Sequence, residues 1–243
     1  MSVWGKVLGG AAGFALGGPL GAVVGTVAGH AFDRTRTPPE ATVTQASRQA
    51  AFSITVIVLG AKMAKADGHV SPEEIRAFRE VFKIPPGEVK KVARIFNEAR
   101  REAQGFEPYA RQAASLFAHR PAVLEELLDA LFHIAKADGV IRPEEVAFLR
   151  RVAEIFRFDA HSFERILAGH MGPRRQDPYG ILGLTRDASE ANIKAAYRQL
   201  VRKTHPDMLI AQGMPQEFID VANHKAATIN AAYDRICKER GLT

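Results

Sequence analysis

The sequence predicts an all-α chain in three parts: an N-terminal membrane helix, a duplicated helical bundle and a C-terminal helical hairpin. Three observations predict it. Glycine recurs at every fourth position from Gly5 to Gly29, and from Gly9 onward it does so inside a stretch without charge. The segment Ala64–Glu74 returns in altered form as Ala135–Glu145. Near the C-terminus, two apolar stripes at helical spacing flank the tripeptide His205-Pro206-Asp207. The boundaries drawn from these features are 1–33 for the membrane segment, 34–48 for a polar linker and 49–168 for the bundle. A second linker takes 169–176, and the hairpin takes 177–243.

The membrane segment carries no formal charge from Val7 to Phe32, more than the roughly 20 apolar residues that cross a hydrocarbon core. Trp4 sits just outside it, where an amphipathic ring favours the headgroup layer. Gly9, Gly13, Gly17, Gly21, Gly25 and Gly29 form one slowly drifting stripe without side chains. Such a groove lets two helices approach backbone to backbone, so the stripe predicts a homodimer in the membrane. In water each glycine would cost a helix up to about 1 kcal/mol, whereas in lipid an unpaired backbone group costs more. A cleaved signal peptide, a Gly-rich tail and a surface-lying helix are the competing readings. Lys6 alone precedes the span, while Arg34, Arg36 and Arg48 follow it. The bias toward cytoplasmic Lys and Arg then predicts a single pass through the inner membrane, with the C-terminal domains in the cytoplasm.

The middle reads as helical throughout. Ala51 to Ala61 is apolar all round but too short to span a membrane, and Lys62 and Lys65 follow. It predicts a buried core helix. Further helices are expected near Pro86–Ala103, Glu107–Ala118 and Pro121–Ala137. In each repeat copy a helix stops at an Asp-Gly break and a new one starts. Gly68 and Gly139 supply the left-handed stop, and Pro72 and Pro143 take the first helical position. Ser71 and Glu74 make a capping box in the first copy. Phe78, Val81 and Phe82 are expected in the core, as are Phe148, Val152 and Ile155. The acidic turns are not calcium loops. Their first and third positions would be Met63 and Lys65, or Ile134 and Lys136, where oxygen ligands are required. The acidic residues of these turns read most simply as helix caps that satisfy the helix dipoles.

The hairpin opens at Asp177-Pro178. Ser189 caps a helix from Glu190 to about Lys203, with Ile193, Ala196, Tyr197 and Leu200 on its apolar face. Lys194, Arg198 and Arg202 stand one turn apart on another face, beside Lys203. The second long helix runs from about Pro215 to Glu239, with Phe218, Ala222, Ala226, Ile229, Tyr233 and Ile236 inward. Two such stripes need each other, which predicts an antiparallel pair. Pro206 forces His205 into extended geometry and ends the first helix. Asp207 is then presented from a stiff loop with little entropy left to lose on binding.

Composition narrows the function. Hydrophobic residues make up 47% and charged residues 25%, as in a folded protein. The net charge of +6 is spread thinly, with no basic run or aromatic platform, so nucleic acid is not an expected partner. Cys237 stands alone, which excludes a disulfide framework and thiolate zinc sites. No phosphate loop or nucleophile–base arrangement appears, and the expectation is a protein that is not an enzyme and needs no cofactor.

His205-Pro206-Asp207 between two helices, with Tyr179–Leu184 upstream and Ile229–Tyr233 downstream, resembles a J domain, the module by which DnaJ-type co-chaperones engage DnaK-type chaperones. The duplicated acidic turns resemble the TerB domain, which has been linked to metal stress and to metal binding by acidic residues. That resemblance implies Asp67, Glu73, Glu74, Asp138, Glu144 and Glu145 as the ligands if a divalent metal is held. Met1–Lys6, the glycine ladder and Gly29–Asp33 resemble the N-terminus of the DjlA family of membrane-anchored J-domain proteins. The resemblance implies that His205, Pro206 and Asp207 stimulate ATP hydrolysis by DnaK, while Lys194, Arg198, Arg202 and Lys203 steer its approach. The rival is a metal-binding or envelope-stress-sensing protein with a secondary J domain. Two positions depart from the family: Met208 where Lys is usual, and Thr204 where an aromatic residue is common. Leu209–Pro215 also lengthens the loop.

Overall fold

The computed structural model describes residues 45–66, 76, 78–79, 84, 87, 89–101, 105–171 and 177–242. The glycine ladder, most of the first linker and Asp67, Glu73 and Glu74 lie outside the described residues, as does the side chain of Asp138. The described residues form helices and no strand. In chain order these are α1 (Gln45–Ala66), α2 (Val89–Arg101), α3 (Glu107–Leu116), α4 (Pro121–Ala135), α5 (Pro143–Ile155), α6 (Ala160–His170), α7 (Pro178–Leu182), α8 (Glu190–Lys203), α9 (Pro206–Gln212) and α10 (Ile219–Arg240).

Helix α1 is the axle of the bundle. Phe52, Ile54, Ile57, Val58 and Leu59 are all buried, because α2, α3, α4 and α5 pack around it. Full burial of each such side chain stabilises the fold by roughly 1.5–3 kcal/mol. The polar residues inside the helix are satisfied locally. Thr55 Oγ1 donates to the Ala51 carbonyl at 2.7 Å, and Ser53 Oγ to that of Gln49 at 3.2 Å. The expected core helix is therefore present, but it begins at Gln45, inside the predicted linker. Among the described residues no helix is long and apolar enough to cross a membrane.

The second repeat copy follows the expected turn. Gly139 has φ +92°, Pro143 opens α5, and the Glu145 carboxylate accepts from the Arg142 N–H at 2.7 Å. Phe148 and Val152 are buried and Ile155 is partly so; of the first copy, Phe78 is buried.

The hairpin has its own small core of Tyr179, Ile181, Leu182, Ile193, Leu200, Ile229, Ala232 and Ile236. Ser189 Oγ accepts from the Asn192 N–H at 3.2 Å and caps α8 as expected. One expectation is corrected. The apolar stripe of the second long helix does not face α8 along its whole length. Phe218, Val221 and Ala222 belong to the bundle core, and only Ile229, Ala232 and Ile236 to that of the hairpin. At 22 residues, α10 is longer than the 14-residue α8, so its first turns outrun α8 and meet α4 and α6 instead.

Candidate functional site

The tripeptide stands at the junction of α8 and α9. Thr204 closes α8, and its buried hydroxyl donates to the Leu200 carbonyl at 3.0 Å. Thr204 is buried, so the departure at that position concerns packing and not the exposed face. His205 is extended, with φ −62° and ψ 125°, as a residue before proline must be. Pro206 then occupies the first helical position of α9. The predicted loop is therefore partly a helix, because a fixed φ near −65° and a dispensable N–H suit proline to a helix start. His205 and Asp207 are exposed, with the Asp207 carboxylate in the first turn of α9, where the helix dipole favours a negative charge.

Around the tripeptide, Tyr197, Arg198, Val201, Arg202, His205 and Met208 line a shallow depression of about 320 Å³. Its floor is held by Tyr197 stacked on Tyr233, with centroids 4.0 Å apart and planes at 9°. The Tyr197 hydroxyl donates to Asn230 Oδ1 at 3.1 Å. Met208 is half exposed on the rim. Arg198, Arg202 and Lys203 are exposed, whereas Lys194 is partly buried and pairs with Glu190 at 2.8 Å. The hydrogen bond and charge of Glu190 raise the Lys194 ammonium above its ordinary range.

Two groups of residues that frame the site were not anticipated. Arg240 closes the far end of the hairpin: Nε donates to the Tyr179 hydroxyl at 2.8 Å, Nη1 to the Ala188 carbonyl at 2.7 Å, and Nη2 to the Arg186 carbonyl. The second group joins hairpin to bundle. Lys225 on α10 is buried against α4, with Nζ 2.8 Å from Glu125 Oε1 and 2.7 Å from Glu126 Oε1. Arg165 of α6 holds the other oxygen of Glu125 at 2.8 Å, and His170 lies 3.0 Å from Asp129. Burial alone would raise Glu125, but Lys225 and Arg165 outweigh it and bring the carboxyl down to about 2. Burial dominates at Glu126 and, with the neighbouring carboxylates, pushes it to about 7. Asp129 is held below its usual range by Lys225 and His170 in spite of burial. The three carboxylates likewise keep the buried Lys225 ammonium charged. A lysine four residues before Ile229 gives no sequence signal for this, since α10 shows its second partner only once folded.

Of the acidic residues considered for a metal, Glu145 is spent on the α5 cap and Glu144 is exposed. Among the described residues no group of three metal-ligating side chains converges.

An exposed His-Pro-Asp corner beside a basic helix, on a hairpin with a Tyr-floored groove, defines a J-domain protein. Comparison with known proteins agrees. The DnaJ domain family matches residues 177–240, the tellurite resistance protein TerB family residues 53–168, and the co-chaperone DjlA transmembrane domain family residues 1–49. The chain is 32% identical to co-chaperone protein DjlA of Photobacterium profundum, over 99% of this chain and 100% of the relative. It is 34% identical to that of Shewanella oneidensis over the whole of both chains. With the Coxiella burnetii protein it shares 31% identity over 98% of each. No solved structure matches. The chain belongs to the DjlA family of J-domain co-chaperones.

Proposed function

We propose that this protein is a membrane-anchored co-chaperone that recruits a DnaK-type chaperone and stimulates its ATP hydrolysis through His205, Pro206 and Asp207. The observation that carries the reading is the exposure of His205 and Asp207 on a corner whose backbone is already fixed by Pro206 and by the buried Thr204. Little order remains to be gained on binding, so contacts made there go into affinity. The Asp207 carboxylate suits an arginine on the partner, since charge-assisted hydrogen bonds of this kind are strong and directional. Arg198, Arg202 and Lys203 offer the partner a positive approach face. Lys194 contributes less than these, being tied to Glu190. The ATP site belongs to the partner.

In this reading residues 1–33 anchor the chain in the cytoplasmic membrane by a single pass, with the bundle and hairpin in the cytoplasm. The stripe Gly9, Gly13, Gly17, Gly21, Gly25 and Gly29 pairs two anchors, which doubles the local concentration of docking corners. Crosslinking in membranes checks the pairing: Gly17→Leu with Gly21→Leu should leave monomer, and an unchanged dimer would contradict it. The central experiment is single-turnover ATP hydrolysis by DnaK with the full chain in vesicles, wild type against His205→Gln. Stimulation by wild type and none by the variant is expected. Equal rates would dismiss the co-chaperone reading.

A further inference from the structure

Chain order, from anchor through linker and bundle to hairpin, would set the docking corner at the far end of the molecule from the membrane. The fold reverses that order. Gln45, the first residue of α1, follows the linker directly, and its Nε2 donates to the Ile210 carbonyl at 3.0 Å. One turn later Gln49 Nε2 donates to the Met214 carbonyl at 3.3 Å. Both acceptors belong to the segment that leaves the tripeptide. That segment is sealed onto the bundle by Leu209 and Met214, both in its core, and by Phe218, whose ring meets Phe52 edge-on at 4.7 Å. Gly213 makes the close approach possible. It has φ +115°, and a Cβ there would stand 2.9 Å from the Cβ of Arg48 on α1.

Ile210 lies one turn of helix beyond Pro206, about 6 Å of rise. The chain thus enters its folded body beside the tripeptide. By contrast α10 carries Lys238 about 28 Å along its axis from Ile219. Residues 34–44, between the proposed anchor and α1, reach at most about 40 Å even when fully extended. The Lys225 cluster fixes α10 against α4 and α6, so the fold-back is held by buried ion pairs as well as by apolar contact.

We propose that the fold returns the His205-Pro206-Asp207 corner to the anchor end of the molecule, so that the chaperone partner is received next to the bilayer and is loaded onto polypeptide presented at the membrane surface. This rests on the anchor and co-chaperone readings above.

The test uses the full chain with Cys237→Ala and a fluorophore on either Met208→Cys or Lys238→Cys, both exposed positions. Each protein is placed in phosphatidylglycerol–phosphatidylethanolamine vesicles containing a lipid with a nitroxide on its headgroup. Quenching at position 208 should exceed that at position 238 at least threefold. Lengthening 34–44 by some thirty Gly and Ser residues should bring position 208 down toward the level of 238. Equal or greater quenching at 238, or quenching at 208 that ignores the linker, overturns the proposal while leaving the anchor in place. A chain that does not float with vesicles overturns the anchor reading and this proposal together. The quenching pattern is expected to survive His205→Gln, so it is read independently of DnaK stimulation.

Discussion

The bundle and the hairpin differ in how much of their own interior they supply. The bundle core is built on large rings, with Phe52, Phe117, Phe132 and Phe163 all fully buried. The hairpin core holds eight buried residues, of which Tyr179 is the one aromatic. So small a core leaves little margin against chain entropy. The hairpin meets this by sharing: Leu209, Met214 and Phe218 ahead of α10, and Val221 and Ala222 in its first turn, are interior residues of the bundle. A J-type hairpin with a long loop is therefore not an appendage here. Its functional corner is braced on one side by its own partner helix and on the other by the neighbouring domain.

The comparison can be broken most decisively at Lys225. Lys225→Met leaves Glu125, Glu126 and Asp129 buried without their shared cation, and losing one partner of a buried pair costs roughly 3–5 kcal/mol. The upper end is expected because three carboxylates depend on it. Urea unfolding of the chain at pH 7.5 measures this, and a loss under about 1 kcal/mol would mean the two parts are hardly coupled. Phe218→Ala comes next, at about 3–4 kcal/mol for a buried ring removed from the Phe52 contact. Because Phe218 lies in the bundle core but in the hairpin sequence, bundle and hairpin should still melt in one transition. A hairpin that melts alone, with the bundle untouched, would separate the two cores.

Ser189→Ala touches only the hairpin. It removes the cap of α8 at a cost of about 1 kcal/mol, and hydrogen exchange should quicken in the first turn of α8 while α1 stays protected. The smallest effect concerns pH. Glu126 is pushed to about 7, above its ordinary 4.5, so the folded chain holds a proton there that the unfolded chain releases. Stability from this group is full below about 4.5 and is lost as pH rises through about 7. Glu126→Gln should therefore compare better with wild type at pH 7.5 than at pH 5 in the same urea titration. The opposite trend would mean that Glu126 is ionised throughout.

Much of this was legible in the chain. The buried α1, the Gly139–Pro143 turn, the Ser189 cap and the extended His205 each follow from a local signal: all-round apolarity, a left-handed glycine before proline, a hydroxyl before a helix, a residue before proline. Less legible was the α9 helix, because Leu209–Pro215 has too few residues to show a period. Lys225 was hidden for another reason. A buried lysine looks like a surface one until the carboxylates that neutralise it are brought near, and Glu125 and Glu126 are a hundred positions away in the sequence.

What the sequence determined by itself is most of the helices, their order and the chemistry of the exposed corner, since caps, prolines and periodic stripes act within a few residues. What the tertiary structure decided is where that corner stands. An apolar stripe states that a face must be covered, and says nothing about what covers it. The first turns of α10 had two surfaces within reach, the partner helix and the bundle, and the phenylalanine interior together with three buried carboxylates settled the choice.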